Sequence, residues 1–78
     1  MADTILDASG LQCPLPVLRA NRALRPLAAG DRLTVIATDP SAPADFRQFC
    51  RQTGHDLVES TAADGVFTIV LRKAVPAG

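Results

Sequence analysis

The sequence lacks the features that support several large classes of function. Its eight basic and eight acidic side chains cancel, whereas a general nucleic-acid binder usually carries a basic excess. No run approaches the ~20 apolar residues that a membrane-spanning helix needs. One histidine and two distant cysteines do not make a metal site. We therefore expect no direct contact with nucleic acid, no membrane span, no metal and no cofactor.

We also expect no secretion signal, because no basic region precedes an apolar run at the start of the sequence. Two cysteines without such a signal indicate a reducing, cytoplasmic setting. Neither cysteine has a second one two or three residues away, which argues against Cys-x-x-Cys redox chemistry. A disulfide between Cys13 and Cys50 stays possible, since the sequence gives no geometry to test it.

The length and composition are those of one small globular domain. A chain of 78 residues buries only about 60–65% of the surface that its unfolded form exposes. It can hold one core but not an enclosed cofactor cavity. We predict a single domain over residues 1–78, with a core at about 4–73 and a flexible tail at 74–78.

Periodicity predicts six elements. Strands are expected at 4–8, 32–38, 56–62 and 66–72, and a first helix at 14–25, fraying to about 28. A second helix starts near a cap at Asp39 or Ser41, runs to about Thr53 and stops at Gly54. Its spacing predicts that four residues are buried, namely Phe46, Phe49, Cys50 and Thr53.

The order of these elements is strand, helix, strand, helix, strand, strand. Right-handed crossovers place both helices on one face of the sheet, and Asp64-Gly65 is a hairpin turn signal. The predicted fold is therefore α+β, a two-layer sandwich with a four-stranded mixed sheet. Its uncovered face would carry Thr34, Ile36, Thr68 and Val70.

Cys13 stands where the first strand passes into the first helix. Pro14 follows it directly, and proline suits the first turn of a helix. The cysteine then lies at or next to the N-cap, where unpaired N–H groups and the helix dipole would favour its thiolate form. We expect Leu11 to be buried and to fix the direction of Cys13. The alternative, a buried structural cysteine, is common for free thiols.

The chain resembles the TusA/SirA family of small sulfur-carrier proteins. The resemblance rests on the Cys-Pro-x-Pro element at 13–16, on 6–11 before it, and on matches in order along the chain. Those matches are Gly30-Asp31, 37–40, Asp45, Phe49-Cys50, Gly54-His55, Ile69 and Arg72-Lys73. They cover residues 4–73 approximately. The family's architecture agrees with the predicted fold.

The resemblance implies a sulfur relay. Cys13 would take a sulfur atom from a donor persulfide, held by a cysteine desulfurase or a rhodanese-like protein, and pass it to an acceptor protein. Family precedent includes tRNA thiolation, molybdenum-cofactor assembly and sulfur oxidation. Gly10, Leu11, Pro14 and Pro16 would support the cysteine. Sulfurtransferase is the activity that fits this reading, whether or not the chain counts as an enzyme by itself. We expect a monomer.

Other candidate residues have simpler explanations. Arg19, Arg22 and Arg25 lie three apart and either dock an acidic partner or form a solvated face. Cys50 lies on the apolar stripe of the second helix and reads as a core residue. Asp39 is predicted to be a helix cap and Asp45 an acid in the early part of the second helix. His55 is predicted to be a loop residue.

Two rival functions stay open. A non-catalytic interaction or regulatory module would use the uncovered sheet face and the arginines, with Cys13 incidental. A thiol redox enzyme is the weaker rival, since no resolving cysteine lies close in sequence.

Overall fold

The strand Arg32–Ala37 (β2) is central because it pairs along its whole length with two neighbours. The computed structural model describes residues 3–75. Within that range the other elements are β1 (Asp3–Ala8), α1 (Leu15–Leu24), α2 (Ala42–Thr53), β3 (Asp56–Ala63) and β4 (Val66–Arg72). β2 runs parallel to β1 and antiparallel to β4, and the strand order is β1-β2-β4-β3. The predicted mixed α+β sheet is confirmed.

Alternation along the strands directs one face of the sheet toward both helices. Leu33, Val35 and Ala37 of β2 are 0% exposed, as the β-branched and apolar pattern predicts. They pack in one cluster with further buried residues from every other element except β3, namely Ala8, Ala20, Leu24, Ala42, Phe46, Phe49, Cys50, Ile69 and Leu71. Leu57 of β3 packs against the edge of that cluster.

The opposite face of the sheet carries the four residues that the sequence assigned to it. Thr34, Ile36, Thr68 and Val70 are each half-buried, and they pair across β2 and β4 in register. Ile5 of β1 lies beside Thr34 and is 74% exposed. Mixed apolar and hydroxyl side chains therefore line this face.

Positive backbone φ angles occur at the turns where the sequence placed them. Asp64 and Gly65 join β3 to β4 with φ angles of 53° and 79°, and a two-residue type I′ hairpin requires positive φ at both positions. Gly54 ends α2 in the left-handed conformation, with φ of 85°, and its N–H donates to the carbonyl of Cys50.

Several predicted details differ from the structure. Thr53 is exposed because its hydroxyl donates a hydrogen bond to the carbonyl of Phe49 at 2.7 Å, which satisfies it at the helix surface. Helix α1 ends at Leu24, although Arg25 keeps helical angles, because Pro26 has no N–H with which to continue the backbone hydrogen bonds. Of the expected tail, residues 76–78 lie outside the described range, and Ala74 donates its N–H to His55 Nδ1. Neither helix within residues 3–75 is long and apolar enough to cross a membrane.

Candidate functional site

Cys13 lies at the edge of the sheet where β1 and β2 end. Because these strands are parallel neighbours, the loops that follow them lie side by side. The N–H of Gly10 donates to Thr38 Oγ1 at 2.9 Å, and the N–H of Cys13 donates to Asp39 Oδ2 at 2.5 Å. These two bonds tie the cysteine loop to the start of α2.

The residues around Cys13 give the loop a defined path. Gly10 has a φ of 78°, a conformation that side chains resist. Leu11, expected to be buried, is half-buried against the core, and its N–H donates to the carbonyl of Ala8. Pro14 is the N-cap of α1 and Pro16 is buried within its first turn. Cys13 therefore directly precedes the N-cap, and its side chain is exposed.

Asp39 connects the starts of the two helices. Besides the Cys13 N–H, its carboxylate accepts the N–H of Ser41 through Oδ1 at 3.1 Å. The backbone hydrogen bonds from Ser41 and Cys13 hold the pKa of this carboxyl below its ordinary value. The sequence allows either Asp39 or Ser41 as the cap of α2; the N-cap is Ser41, and Asp39 binds the two loop N–H groups instead.

An open groove of about 180 Å³ runs from Cys13 between the two helices. It is lined by Cys13, Pro14, Val17, Asp45, Gln48, Phe49 and Gln52. Its floor is apolar at Val17 and Phe49. Asp45 is the charged member of this lining, and its Oδ2 accepts a hydrogen bond from the Ser41 hydroxyl at 3.2 Å.

The expectation that the helix start favours the thiolate is wrong. A hydrogen bond to the Asp45 carboxylate raises the pKa of the Cys13 thiol, and partial desolvation and the Asp39 charge act in the same direction. The nearby Ser41 hydroxyl acts on the pKa in the opposite direction. The first turn of α1 also offers few N–H groups. Pro16 has none, and those of Leu15 and Leu18 donate to the carbonyls of Gln12 and Pro14.

The three arginines of α1 share a surface with two exposed leucines. Arg19, Arg22 and Arg25 line a second groove of about 320 Å³ together with Leu15, Leu18 and Asn21. Leu15 is 44% and Leu18 56% exposed. Since Leu15 lies two residues from Cys13, this arginine-leucine surface begins close to the sulfur.

The other chemically capable residues lie apart from this site. Both cysteines carry free thiols, and Cys50 is buried in the core, as predicted from its helical stripe. His55 accepts the N–H of Ala74, and its ring lies 5.8 Å from that of Phe49. Within residues 3–75 no three metal-ligating side chains cluster.

The sequence pattern does not predict that Asp39, Ser41 and Asp45 lie beside the cysteine. The available signal was topological. Parallel β1 and β2 must both end at one edge of the sheet, so the residues after Ala37 and those after Ala8 become neighbours. Asp45 follows one helical turn after Ser41, on the same side of α2.

Known proteins are similar to this chain over most of its length. The family model described as sulfurtransferase TusA matches residues 4–73. A chain of Neisseria meningitidis serogroup A, named as a candidate sulfur carrier protein, is 56% identical over 72 residues, covering 92% of this chain and 97% of that one. The sulfur carrier protein TusA of Allochromatium vinosum is 49% identical over 72 residues, covering 92% and 95%.

A solved structure has the same fold as this chain. The crystal structure of a SirA-like protein from Desulfitobacterium hafniense superposes with a TM-score of 0.80 at 28% sequence identity. The alignment covers 92% of this chain and 99% of that one.

Proposed function

The chain belongs to the TusA family of sulfur carriers, and we propose that Cys13 carries the sulfur as a persulfide. The observation that supports this most is the position of the thiol. It is exposed, directly before α1, and stands at the end of a groove open to a second protein. A carrier needs such access twice, once for loading and once for delivery.

The proposed loading step is an exchange between two persulfides. The Cys13 thiolate attacks the outer sulfur of a donor cysteine persulfide, and the donor's sulfur–sulfur bond breaks. Cys13–S–SH forms, and the donor's cysteine leaves as a thiolate that takes up the proton lost by Cys13. Delivery repeats the exchange with an acceptor thiol. Neither step consumes an oxidant or a reductant.

The donor and acceptor are proposed by class. The donor is a cysteine desulfurase or a rhodanese-like protein, and the acceptor serves tRNA thiolation, molybdenum-cofactor assembly or sulfur oxidation. The two free thiols suit a reducing compartment, and we place this relay in the cytoplasm. The chain would act as a monomer through protein contacts and would not hold nucleic acid itself.

The arginine-leucine surface is the proposed docking surface. Three guanidinium groups around two exposed leucines favour a partner segment with acidic side chains and an apolar residue between them. The alternative module function would use the same surface with Cys13 idle, and a relay that loses all activity on Cys13→Ala is incompatible with it.

Mass spectrometry tests the persulfide. The protein is incubated with a bacterial cysteine desulfurase and cysteine, and we expect an adduct of about 32 Da, one sulfur atom. The adduct should be absent in Cys13→Ser and unchanged in Cys50→Ser, whose thiol is buried. An adduct that persists in Cys13→Ser would contradict the proposal, as would the absence of any adduct in the wild-type protein.

A further inference from the structure

The groove beside Cys13 contains a carboxylate that sulfur loading alone does not require. Asp45 lines the groove together with Cys13, and α2 directs it there one turn after Ser41. The Ser41 hydroxyl holds Asp45 Oδ2 at 3.2 Å, and Asp39 in turn holds the backbone N–H groups of Ser41 and Cys13. The backbone of Cys13 and the carboxylate of Asp45 are therefore linked through a continuous set of hydrogen bonds, and both residues line the same groove.

The charges that act on the sulfur all have the same sign. Asp45 reaches it from α2 and Asp39 from the loop before that helix. From α1, the lining of the groove comes from Pro14 and Val17, and further along α2 from Gln48, Phe49 and Gln52. Among the described residues that line this groove, none carries a positive charge. The arginines of α1 line the separate groove instead.

We propose that Asp45 is a positioning residue for the sulfur. It accepts a hydrogen bond from the Cys13 thiol in the unloaded carrier and repels the terminal sulfur anion of the loaded one. This inference deepens the proposed function and rests on it for the loaded state. The unloaded state involves only residues of the described chain.

The consequence is a bias in the direction of transfer. An S–H group can donate to a carboxylate, so the thiol is retained in its less reactive form. The terminal S–H of a persulfide is more acidic than a thiol, so the loaded sulfur is an anion close to Asp45. That repulsion favours release. A donor protein must offset the same charge during loading, which its own cations or N–H groups can do at the closed interface.

Alkylation tests the unloaded state without any sulfur donor. The rate of Cys13 carbamidomethylation by iodoacetamide is followed against pH by peptide mass spectrometry, which separates Cys13 from Cys50. In Asp45→Asn the thiolate fraction should rise, giving a rate at least about threefold higher near pH 7.5, since rate follows thiolate fraction. The matched control Asp64→Asn removes the same charge at the β3–β4 turn and should follow the wild-type profile.

Ser41→Ala provides a second variant with the opposite sign. Ser41→Ala removes the hydroxyl that donates to Asp45 Oδ2 and leaves that carboxylate oxygen free to accept from the thiol, so the substitution should slow alkylation and move the inflection of the profile to higher pH. A merely structural loosening of the loop would move both variants in the same direction. Profiles of Asp45→Asn that coincide with wild type, or a change of the same sign in both variants, would overturn the proposal.

Glutathione persulfide tests the loaded state. After loading and desalting, transfer of sulfur from Cys13 to a small acceptor thiol should be slower in Asp45→Asn than in wild type and Asp64→Asn. An equal or faster transfer would overturn the bias while leaving the persulfide itself established. If wild type and variants fail to load with a donor protein while the alkylation profiles differ, the proposed function fails and the Asp45–Cys13 contact stands.

Discussion

The two helices begin with similar sequences in different electrostatic surroundings. Each start places a small polar or sulfur-bearing residue before a proline-containing first turn, Cys13 before α1 and Ser41 before α2. The first turn of α2 contains Asp45, which the helix dipole stabilises. The first turn of α1 contains no acid. The negative charge of Asp45, at the start of α2, therefore also acts on the cysteine at the start of α1.

The helices also differ in how firmly they are held. α2 buries Phe46 at 0% and Phe49 at 7% exposure, with the two rings edge to face at 6.3 Å. α1 leaves Leu15 and Leu18 exposed beside its arginines. The comparison teaches that the anchored helix fixes the charges around the sulfur, while the more exposed helix presents the sulfur and the docking surface to a partner.

Shortening a buried ring of α2 should have the largest effect on stability. Phe46→Ala empties a fully buried site, and we expect the free energy of unfolding to fall by about 3–5 kcal/mol. Leu18→Ala on the exposed side of α1 should change it by less than about 1 kcal/mol. Urea denaturation followed by circular dichroism measures both. Equal losses in the two variants would break the contrast between an anchored helix and a presenting one.

Lys73, which lies outside the helix, binds two backbone carbonyls just beyond the end of α1. Lys73 Nζ donates to the carbonyl of Arg25 at 3.0 Å and to that of Leu27 at 2.6 Å. Lys73→Met should keep the aliphatic stem and lose both bonds, lowering the free energy of unfolding by about 1 kcal/mol. Urea denaturation beside Lys73→Arg, which can still donate, measures the difference. No loss in Lys73→Met would show that α1 holds its own end.

Cutting the link between the two helix starts should produce a local effect. Asp39→Ala removes the acceptor for the N–H groups of Cys13 and Ser41, so both amides should exchange with deuterium faster, as NMR can follow residue by residue. In wild type the pKa of Asp39 is lowered from 3.8. The two bonds are therefore intact above that pH and are lost as the pH falls through the lower, folded-state pKa.

Exchange at the core strand β2 is the control for this variant. It should be unchanged in Asp39→Ala, because the substitution lies outside the sheet. Faster exchange everywhere would indicate global destabilisation, and unchanged exchange at Cys13 would show that Asp39 does not hold the loop.

The elements of the fold could be predicted because their signals are local. Alternation at β2, the Asp64-Gly65 turn and the left-handed stop at Gly54 each depend on a few neighbouring residues and on backbone sterics. The prediction that Thr53 is buried was wrong because it also used only a local signal. The helical stripe includes it, but its hydroxyl finds an acceptor one turn back and stays at the surface.

The electrostatics of the site could not be predicted from local signals. A thiol at a helix start is expected to ionise more readily, and this would hold if the start were isolated. Asp39 and Asp45 are 26 and 32 positions further along and reach the sulfur only because β1 and β2 are parallel neighbours. Contacts between residues so far apart in sequence follow from the topology of the sheet. The direction of the shift in the pKa of the Cys13 thiol therefore depends on the assembled fold.

The smallest expected effect lies at the end of α2, where His55 follows Gly54. Burial, and then the nearby charge of Lys73, lower the pKa of His55 from 6.5, with Asp56 opposing. The neutral ring accepts the Ala74 N–H at Nδ1, which a protonated ring cannot do. Stability should therefore be full above about pH 6.5 and decline as the pH falls through the lower, folded-state pKa, by less than about 1 kcal/mol for a residue that is only half-buried.

The ammonium group of Lys73 acts at the ends of both helices. It binds carbonyls after α1 and lowers the pKa of His55 after α2. Lys73→Met should raise the pKa of His55 toward its ordinary value as well as release the end of α1. An NMR titration of the His55 ring in wild type and Lys73→Met measures the first change, and His55→Gln, which does not titrate, should remove the decline in stability below pH 6.5. If the His55 titration is the same with and without Lys73, the ends of α1 and α2 are electrostatically independent, and the charges that couple the two helices act only at the sulfur-bearing edge of the sheet.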